Sequence, residues 1–348
     1  MVKIKNFELA NYGQPFIVAE VGINHNGELS KALDMVHVAR EAGVNAVKFQ
    51  TFKAEEFCND RTQLFTYYSQ GQEVTESMLD MFSRYEFNRQ EWLQIKHKCD
   101  DEGILFLSTP QNKSDLMLLL DLDISAIKVG SDDFINLPLL EEYATTKLPI
   151  ILSCGMSDLA EVFHALESIG TFEGYPTILL LCTSQYPTPP EDVNLLKLKT
   201  LANTFPDLVL GISDHTQGIL ASSLAVGFGA VFFEKHFTLD NNLEGPDHWF
   251  SENPDNLKLW VQSIQKAYQM MGSALIRPTA QEIQMRKVAR RSIVVLQLIK
   301  KGEQFTKQNL GAKRAGEGMS PSLLRDVLGK CASKDLVEGA LLEPNHAQ

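Results

Sequence analysis

Residues 16–25 read FIVAEVGINH, an apolar run that holds one carboxylate, Glu20, and ends in polar residues. The run does not alternate between apolar and polar positions, which is typical of a parallel strand covered on both faces. Residues 30–42 follow with apolar side chains at helical spacing, and Gly43 ends that pattern. The stretch therefore predicts one strand followed by one helix.

Seven further apolar runs repeat this arrangement along the chain, each followed by a segment long enough for a helix. They are residues 46–49, 104–107, 126–129, 150–152, 178–182, 208–212 and 230–233. Eight such units predict an α/β fold closed into a TIM (β/α)8 barrel. An open doubly wound sheet is the alternative, but no G-x-G-x-x-G turn follows the first strand to support it.

The overall charge argues against polyanionic partners. The 348 residues include 32 lysines and arginines against 44 aspartates and glutamates, a formal net charge of −12. Nucleic acids and anionic membranes both require a basic face, so we expect neither as a partner.

No run of about 18 apolar residues appears, and the N-terminal residues lack the apolar segment of a signal peptide. We therefore expect a cytoplasmic protein, and the five scattered cysteines, with no C-x-x-C pair, are consistent with a reducing compartment.

The chain changes character near Ala280. Basic residues concentrate after this point, together with short apolar runs and glycine turns such as Lys301-Gly302. We predict a barrel domain over residues 1–280 and a small β-rich domain over residues 281–348, which is short for independent folding. Residues 51–88 form a long, aromatic-rich excursion between the second and third strands, which predicts a packed element near the barrel mouth.

Polar residues follow every predicted strand, at the end of the barrel where active sites form. In chain order they are Glu20, Asn24, His25, Lys48, Gln50, Ser108, Thr109, Lys128, Ser131, Asp132, Asp133, Ser153, Thr183, Ser184, Tyr186, Ser213, Asp214, His215, Glu234, Lys235 and His236. Each of them has a structural explanation when taken alone, such as helix capping or solvation. Their convergence on one mouth predicts a functional site.

Two lysines and a set of hydroxyls in this group indicate an anion site. Lys48 and Lys128 stand among apolar neighbours, where a buried ammonium needs a compensating anion. That anion is either a carboxylate of the protein, Glu20 or Glu234, or an anionic substrate. The hydroxyls near helix N-termini suit a phosphate, and they belong to Ser131, Ser153, Ser184 and Ser213.

Two histidines indicate a metal site. His215 and His236 end neighbouring strands, and Glu20 and Asp247 are nearby carboxylates. Nitrogen and oxygen donors favour an octahedral ion, Mn²⁺ first, with Mg²⁺ or Co²⁺ as alternatives.

The motifs at these positions resemble the sialic acid (N-acetylneuraminate, or nonulosonic acid) synthase family. The matching stretches are AEVGINHNG (19–27), VKFQ (47–50), STP (108–110), KVGS (128–131), SCGM (153–156), CTSQYP (182–187), GISDH (211–215), EKHF (234–237) and GPDH (245–248). In the C-terminal region RSIV (291–294), IKKG (299–302) and KRAG (313–316) resemble the family's antifreeze-like SAF domain. The resemblance covers residues 16–343, nearly the whole chain.

The resemblance implies a TIM barrel joined to an SAF domain, in a domain-swapped homodimer. It implies condensation of phosphoenolpyruvate with the open-chain aldehyde of an N-acylated amino sugar, giving a nine-carbon 2-keto acid and phosphate. N-acetylmannosamine is the first candidate acceptor, and a 2,4-diacetamido-6-deoxy sugar that leads to a legionaminate-type product is the second.

The resemblance also assigns roles residue by residue. It implies that Lys48, Thr109 and Lys128 hold the carboxylate of phosphoenolpyruvate, and that the four serines named above hold its phosphate. His215 and His236 bind the metal, and Glu20 and Glu234 are the acid and base candidates. The residues that it places against the sugar are Gln50, Asp133, Tyr186, Asp247 and Arg314 of the partner subunit.

The sequence departs from the family pattern in three places. Ser131-Asp132-Asp133 stands where Ser-Gly-Glu is expected, Ala315 follows Arg314 in place of proline, and Ser184 replaces an asparagine of some members. These departures concern the sugar side more than the phosphoenolpyruvate side. Two alternatives remain open: a barrel that condenses phosphoenolpyruvate with a sugar phosphate, and a non-catalytic carbohydrate-binding barrel.

Overall fold

The computed structural model describes the chain from Met1 to Gln348. Its strands are β1 (Val2–Ile4), β2 (Phe7–Leu9), β3 (Phe16–Gly22), β4 (Ala46–Thr51), β5 (Leu64–Ser69), β6 (Gln72–Ser77), β7 (Leu105–Pro110), β8 (Ile127–Val129), β9 (Ile150–Ser153), β10 (Thr177–Cys182), β11 (Val209–Ser213), β12 (Phe232–His236), β13 (Ser292–Val295) and β14 (Leu310–Lys313). Its α-helices are α1 (Leu29–Ala42), α2 (Ala54–Phe57), α3 (Met78–Ser83), α4 (Arg89–Glu102), α5 (Lys113–Asp121), α6 (Leu137–Ala144), α7 (Leu159–Ser168), α8 (Pro190–Val193), α9 (Leu196–Thr204), α10 (Leu220–Gly227), α11 (Pro254–Met271), α12 (Ala280–Ala289) and α13 (Leu324–Val327).

Eight parallel strands close into a barrel in the order β10-β11-β12-β3-β4-β7-β8-β9. The predicted TIM barrel is thus confirmed, and every predicted run contributes one strand. The register places Glu20 of β3 opposite His236 of β12 on one side and Lys48 of β4 on the other. Strand β12 continues to His236, three residues past the predicted run, so it carries polar site residues within the strand itself.

The core consists of two apolar layers. One fills the barrel interior, where Phe16 and Phe232 stack with ring centroids 5.3 Å apart, and the β1–β2 hairpin contributes Val2, Ile4 and Leu9 to the same cluster. The other layer lies between the strands and the surrounding helices, and Trp92 and Trp260 are among its fully packed members. Because the interior is filled with side chains, a ligand is confined to the mouth.

The excursion after β4 is an ordered element built from α2, the β5–β6 hairpin and α3. Its apolar side chains pack on Ile23, Phe52 and Tyr85. The hairpin tip is fixed as well, since Ser69 Oγ accepts a 3.0 Å hydrogen bond from the backbone N–H of Gly245. The excursion is therefore a wall of the barrel mouth.

Residues 273–348 form a second compact unit, separate from residues 1–272. The antiparallel pair β13–β14 encloses a small cluster that includes Ile293, Val295, Phe305 and Leu310. Helix α12, where the predicted boundary at Ala280 falls, belongs to this second unit. No helix of the chain combines the length and the hydrophobicity that crossing a lipid bilayer requires.

Gly211 lies within β11 and has no space for an added methyl group. A Cβ there would clash with the carbonyl oxygen of Phe232 and lie 2.6 Å from Leu180 Cδ2. We expect Gly211→Ala to lower the free energy of unfolding by about 1–3 kcal/mol, because a packed core does not accept extra volume. The measurement is chemical denaturation followed by circular dichroism.

Gly227→Ala is the matched control, because a Cβ at this helix end meets nothing within 4 Å. We expect this variant to be as stable as the wild type or slightly more stable. Equal stability of the two variants would contradict the packing argument.

Candidate active site

A cavity of about 590 Å³ opens at the carboxyl ends of the barrel strands. It gathers side chains from all eight barrel strands or the loops that follow them. The predicted site residues that line it are Glu20, Lys48, Gln50, Thr109, Lys128, Ser131, Ser153, Ser184, Tyr186, Ser213, His215, Glu234, His236 and Asp247.

Two predicted residues, Asp133 and Arg314, do not line this cavity. The carboxylate of Asp133 accepts a 3.0 Å hydrogen bond from Asn136 Nδ2, beside the start of α6, while its neighbour Asp132 lines the cavity. The turn at Gly130 directs Asp132 toward the cavity. The Asp132 side chain packs so closely against Gly130 that a Cβ added at Gly130 would clash with its carboxylate. The expected contact of Asp133 with the sugar therefore stays a prediction, with Asp132 as the neighbouring residue that lines the cavity. Arg314 follows β14 in the second unit.

The sequence analysis missed the aromatic part of the cavity wall. Phe65, Tyr67 and Tyr68 of β5 line it from one side, and Trp249 and Phe250 line it from another. The rings of Tyr68 and Trp249 contact each other edge to face, with centroids 6.2 Å apart. The density of aromatic residues in the excursion was the signal for this wall, but it did not show which side chains point inward.

A cluster of two lysines and two glutamates forms the floor of the cavity. Lys48 Nζ lies 2.8 Å from Glu20 Oε1 and 3.8 Å from Glu234 Oε2, and Lys128 Nζ lies 3.6 Å from Glu234 Oε1. All four side chains are buried. Oε2 of each glutamate has no hydrogen-bond partner. The two explanations of the buried lysines, a protein carboxylate and an anionic substrate, thus both stay open. The protein supplies the carboxylates, and it still leaves polar atoms without a partner that a ligand can contact.

Burial and mutual charge shift the pKa values of this cluster in opposite directions. Burial raises the pKa of Glu20 to about 7, against the effect of Lys48. At Glu234 burial also acts to raise the pKa, but the charges of Lys128 and Lys48 outweigh burial and hold the Glu234 pKa below its usual value. Burial lowers the pKa of Lys128, whereas Glu20 and Glu234 outweigh burial at Lys48 and raise its pKa. Two carboxylates with separated pKa values suit separate acid and base roles.

Hydroxyl groups and one backbone amide surround Lys128. Lys128 Nζ donates to Ser153 Oγ at 2.7 Å, and the N–H of Gly155 donates to Ser131 Oγ at 3.0 Å. A Cβ at Gly155 would collide with the hydroxyls of both Ser131 and Ser184, so only glycine fits there. Ser184 Oγ is buried without a hydrogen-bond partner. Several donors beside a lysine can hold a phosphate group.

His215 lies two residues after β11, and His236 ends the adjacent strand β12, with the two ring centroids 5.5 Å apart. His215 Nδ1 lies 2.8 Å from the carbonyl oxygen of Thr183, so in the neutral ring Nδ1 carries the proton and Nε2 has the free lone pair. Burial and the charge of His215 hold the pKa of His236 well below its usual value, and its buried Nδ1 has no hydrogen-bond partner. A neutral imidazole with a free nitrogen fits a divalent cation.

The protein alone does not complete a metal site. No group of three or more His, Cys, Asp or Glu side chains is arranged around one point. Asp247 is the nearest carboxylate to the pair, with Oδ2 3.7 Å from His236 Nδ1, and burial raises its pKa to about 6. Two imidazoles therefore leave room for oxygen ligands from water and substrate.

Comparisons with known proteins agree with this geometry. The sequence profile of the NeuB family matches residues 35–275, and that of the SAF domain matches residues 290–347. The N,N'-diacetyllegionaminic acid synthase of Legionella pneumophila is 38% identical to the chain, and the match covers 96% of this chain and 94% of that protein. The N,N'-diacetyllegionaminic acid synthase of Campylobacter jejuni is 37% identical, and the match covers 94% of this chain and 98% of that protein. The crystal structure of N-acetylneuraminic acid synthetase from Leptospira borgpetersenii, in complex with citrate, superposes with a TM-score of 0.73 at 31% identity, covering 83% of this chain and 96% of that one. The family resemblance is thus confirmed: the chain belongs to the NeuB family and carries a C-terminal SAF domain.

Proposed function

We propose that this protein is a nonulosonic acid synthase that joins phosphoenolpyruvate to the open-chain aldehyde of an N-acylated amino sugar. The products are a nine-carbon 2-keto acid and inorganic phosphate. The observation that carries the proposal is the pair of buried lysines, Lys48 and Lys128, set among hydroxyls at the floor of the barrel mouth. Membership of the NeuB family supports the same reaction class.

Phosphoenolpyruvate fits the floor because it carries two anionic groups on one small skeleton. Its carboxylate takes Lys48 and Thr109, which lie 3.3 Å apart, together with Lys128. Its phosphate takes the hydroxyls of Ser131, Ser153, Ser184 and Ser213. The lysines neutralise the substrate through the whole reaction in a site of low dielectric constant.

The two glutamates divide the proton transfers. Carbon 3 of phosphoenolpyruvate attacks the aldehyde carbon, and the aldehyde oxygen becomes a hydroxyl by taking a proton. Water adds at carbon 2 and loses one proton, which leaves a hydroxyl and the phosphate ester on the same carbon. The bond from carbon 2 to the bridging oxygen then breaks, phosphate leaves with that oxygen and takes up the hydroxyl proton, and the 2-keto group forms. Because its pKa is raised, Glu20 holds the proton that the aldehyde oxygen receives, and Glu234, whose pKa is lowered, accepts the proton of water.

His215 and His236 would hold the divalent cation that the family implies. We propose Mn²⁺, with Mg²⁺ or Co²⁺ as alternatives, since the donors are nitrogen and oxygen. When bound, such an ion polarises the aldehyde oxygen and so favours attack at the aldehyde carbon. Burial lowers the pKa of His215, but Cys182 and the carbonyl of Thr183 outweigh burial and raise it, so protons compete with a metal ion for this imidazole.

The charge of the cavity indicates an acceptor without phosphate. Lys48 and Lys128 are the only lysine or arginine side chains among the lining residues, and phosphoenolpyruvate occupies both. The outer wall is aromatic, which suits methyl and acetyl groups. These features and the two legionaminic acid synthase relatives favour a 2,4-diacetamido-6-deoxy sugar over N-acetylmannosamine, and disfavour an enzyme that acts on a sugar phosphate.

We also propose that the enzyme works in the cytoplasm as a domain-swapped homodimer. All five cysteines are unpaired, which is consistent with a reducing compartment. In the dimer, Arg314 of the partner subunit meets the sugar, and Gln50, Tyr186 and Asp247 of the barrel contact it from the other side.

Lys128 separates function from stability. Burial lowers the pKa of Lys128, whereas the Glu234 carboxylate 3.6 Å away favours its charged form. We expect Lys128→Met to lower kcat/KM for phosphoenolpyruvate by about 100-fold or more and to change the free energy of unfolding much less, because relief of a buried charge offsets the loss of the ion pair. Steady-state kinetics and chemical denaturation measure the two effects. Lys266→Met, on the exposed face of α11, is the control that changes neither, and a Lys128→Met protein that loses stability in proportion to activity would contradict the assignment.

The proposed reaction itself is tested by phosphate release. We expect the purified protein to release phosphate from phosphoenolpyruvate only when an N-acylated amino sugar and a divalent cation are both present, and a chelator to stop the release. Mass spectrometry of the keto acid, over a panel of the diacetamido sugar, N-acetylmannosamine and N-acetylmannosamine 6-phosphate, identifies the acceptor. Preference for the phosphate ester would overturn the charge argument, and carbohydrate binding without phosphate release would favour a non-catalytic barrel.

The shared site is tested by subunit exchange. Arg314→Ala and Lys128→Met remove residues that we place in the same site but on different chains. Each variant alone should be inactive, and a mixture refolded together should regain about a quarter of wild-type activity, because in mixed dimers one of two sites is intact. The double variant is the control, and a mixture as inactive as the double variant would exclude the shared site.

A further inference from the structure

A third buried lysine lies behind the cavity and takes no part in it. Lys235 stands between Glu234 and His236 on β12, and both of these neighbours line the cavity. Because successive side chains of a strand point to opposite faces, Lys235 points away from the cavity. Its side chain is only 2% exposed.

Two buried carboxylates meet Lys235 there. Its Nζ lies 3.1 Å from Asp214 Oδ2 and 3.8 Å from Glu252 Oε1, and it donates to the backbone carbonyl of Thr216. The side chains of Asp214 and Glu252 are 0% and 5% exposed. One cation thus holds together two carboxylates that would otherwise repel each other in the protein interior.

The same carboxylates order the loop that follows His215. Asp214 accepts hydrogen bonds from Ser222 Oγ at 2.6 Å and from the N–H of Thr216 at 2.9 Å. Glu252 accepts one from the N–H of Gly218 at 2.9 Å. Residues 214–222 are therefore fixed by the group that Lys235 centres.

Every charged member of this group connects through the backbone to one of the two histidines. Asp214 precedes His215 in the chain, and Lys235 precedes His236. The backbone N–H of Glu252 donates to the carbonyl oxygen of His236 at 2.9 Å. A shift of any of the three would move a histidine backbone.

We propose that Lys235 is a positioning residue that fixes the separation and orientation of His215 and His236. The proposal rests on the proposed function, in which these histidines hold the divalent cation. Without the ammonium, Asp214 and Glu252 repel, the ends of β11 and β12 lose their common anchor, and the imidazoles no longer converge on one ion. Outer groups of this kind set metal affinity through the ligands that they orient.

The test is Mn²⁺ binding by the full-length protein, with free Mn²⁺ measured by electron paramagnetic resonance. Lys235→Met keeps the length of the side chain and removes its charge. We expect its Kd for Mn²⁺ to rise about 10- to 100-fold, and the Kd of phosphoenolpyruvate to stay within about twofold of wild type, because Lys48 and Lys128 are untouched. Lys266→Met is the control with unchanged affinity.

An unchanged Mn²⁺ Kd in Lys235→Met, with only a lowered melting temperature, would overturn the proposal and leave Lys235 a structural residue. If Lys235→Met does not fold, Glu252→Gln replaces it. This change removes one of the two carboxylate charges paired with Lys235 and keeps the shape of the side chain. A Mn²⁺ Kd equal to wild type in Glu252→Gln would then overturn the proposal. His215→Ala tests the underlying metal assignment separately. Wild-type affinity in His215→Ala refutes that assignment and this proposal together, whereas lost affinity in His215→Ala with wild-type affinity in Lys235→Met refutes this proposal alone.

Discussion

The near-balance of charge at the barrel floor is the constraint on which the site depends. Two ammonium groups, Lys48 and Lys128, face two carboxylates, Glu20 and Glu234, at the buried floor of the cavity. Without a ligand the four charges roughly cancel, so the fold tolerates them. A substrate with about three negative charges upsets that balance unless the site gains positive charge. Proton uptake by Glu20 and a cation at the histidines are two ways for the same cavity to gain it.

This local balance is independent of the net charge of the protein. The chain carries −12 overall, which opposes binding of extended polyanions. A small anion experiences mainly the groups within a few ångströms, because solvent and salt screen more distant charges. An acidic protein can therefore bind phosphoenolpyruvate through charges that the barrel places at a single point.

Most of the barrel was predictable from the sequence because strands buried on both faces leave unbroken apolar runs, as residues 16–21 show. The strand ends were predictable for the same reason, since a polar residue such as Lys48 or Ser153 stands out against its apolar neighbours. The position of Asp132 in the cavity lining was not predictable, because it depends on one turn at Gly130. The aromatic wall was not predictable either, because the direction of a hairpin side chain such as Tyr68 follows from its contact with Trp249, distant in the chain.

The end of β12 shows how a barrel strand combines catalysis with support. Glu234 and His236 face the cavity, whereas Lys235 between them faces the protein interior. A strand reverses the direction of its side chain at each residue, so a charged triplet at its end cannot point all of its members at the substrate. The middle residue must then be buried behind the site, and burial requires partners of opposite charge. Asp214 and Glu252 meet that requirement, and because they belong to the neighbouring strand end and the following loop, the need to neutralise Lys235 also fixes the two elements that carry His215 and His236.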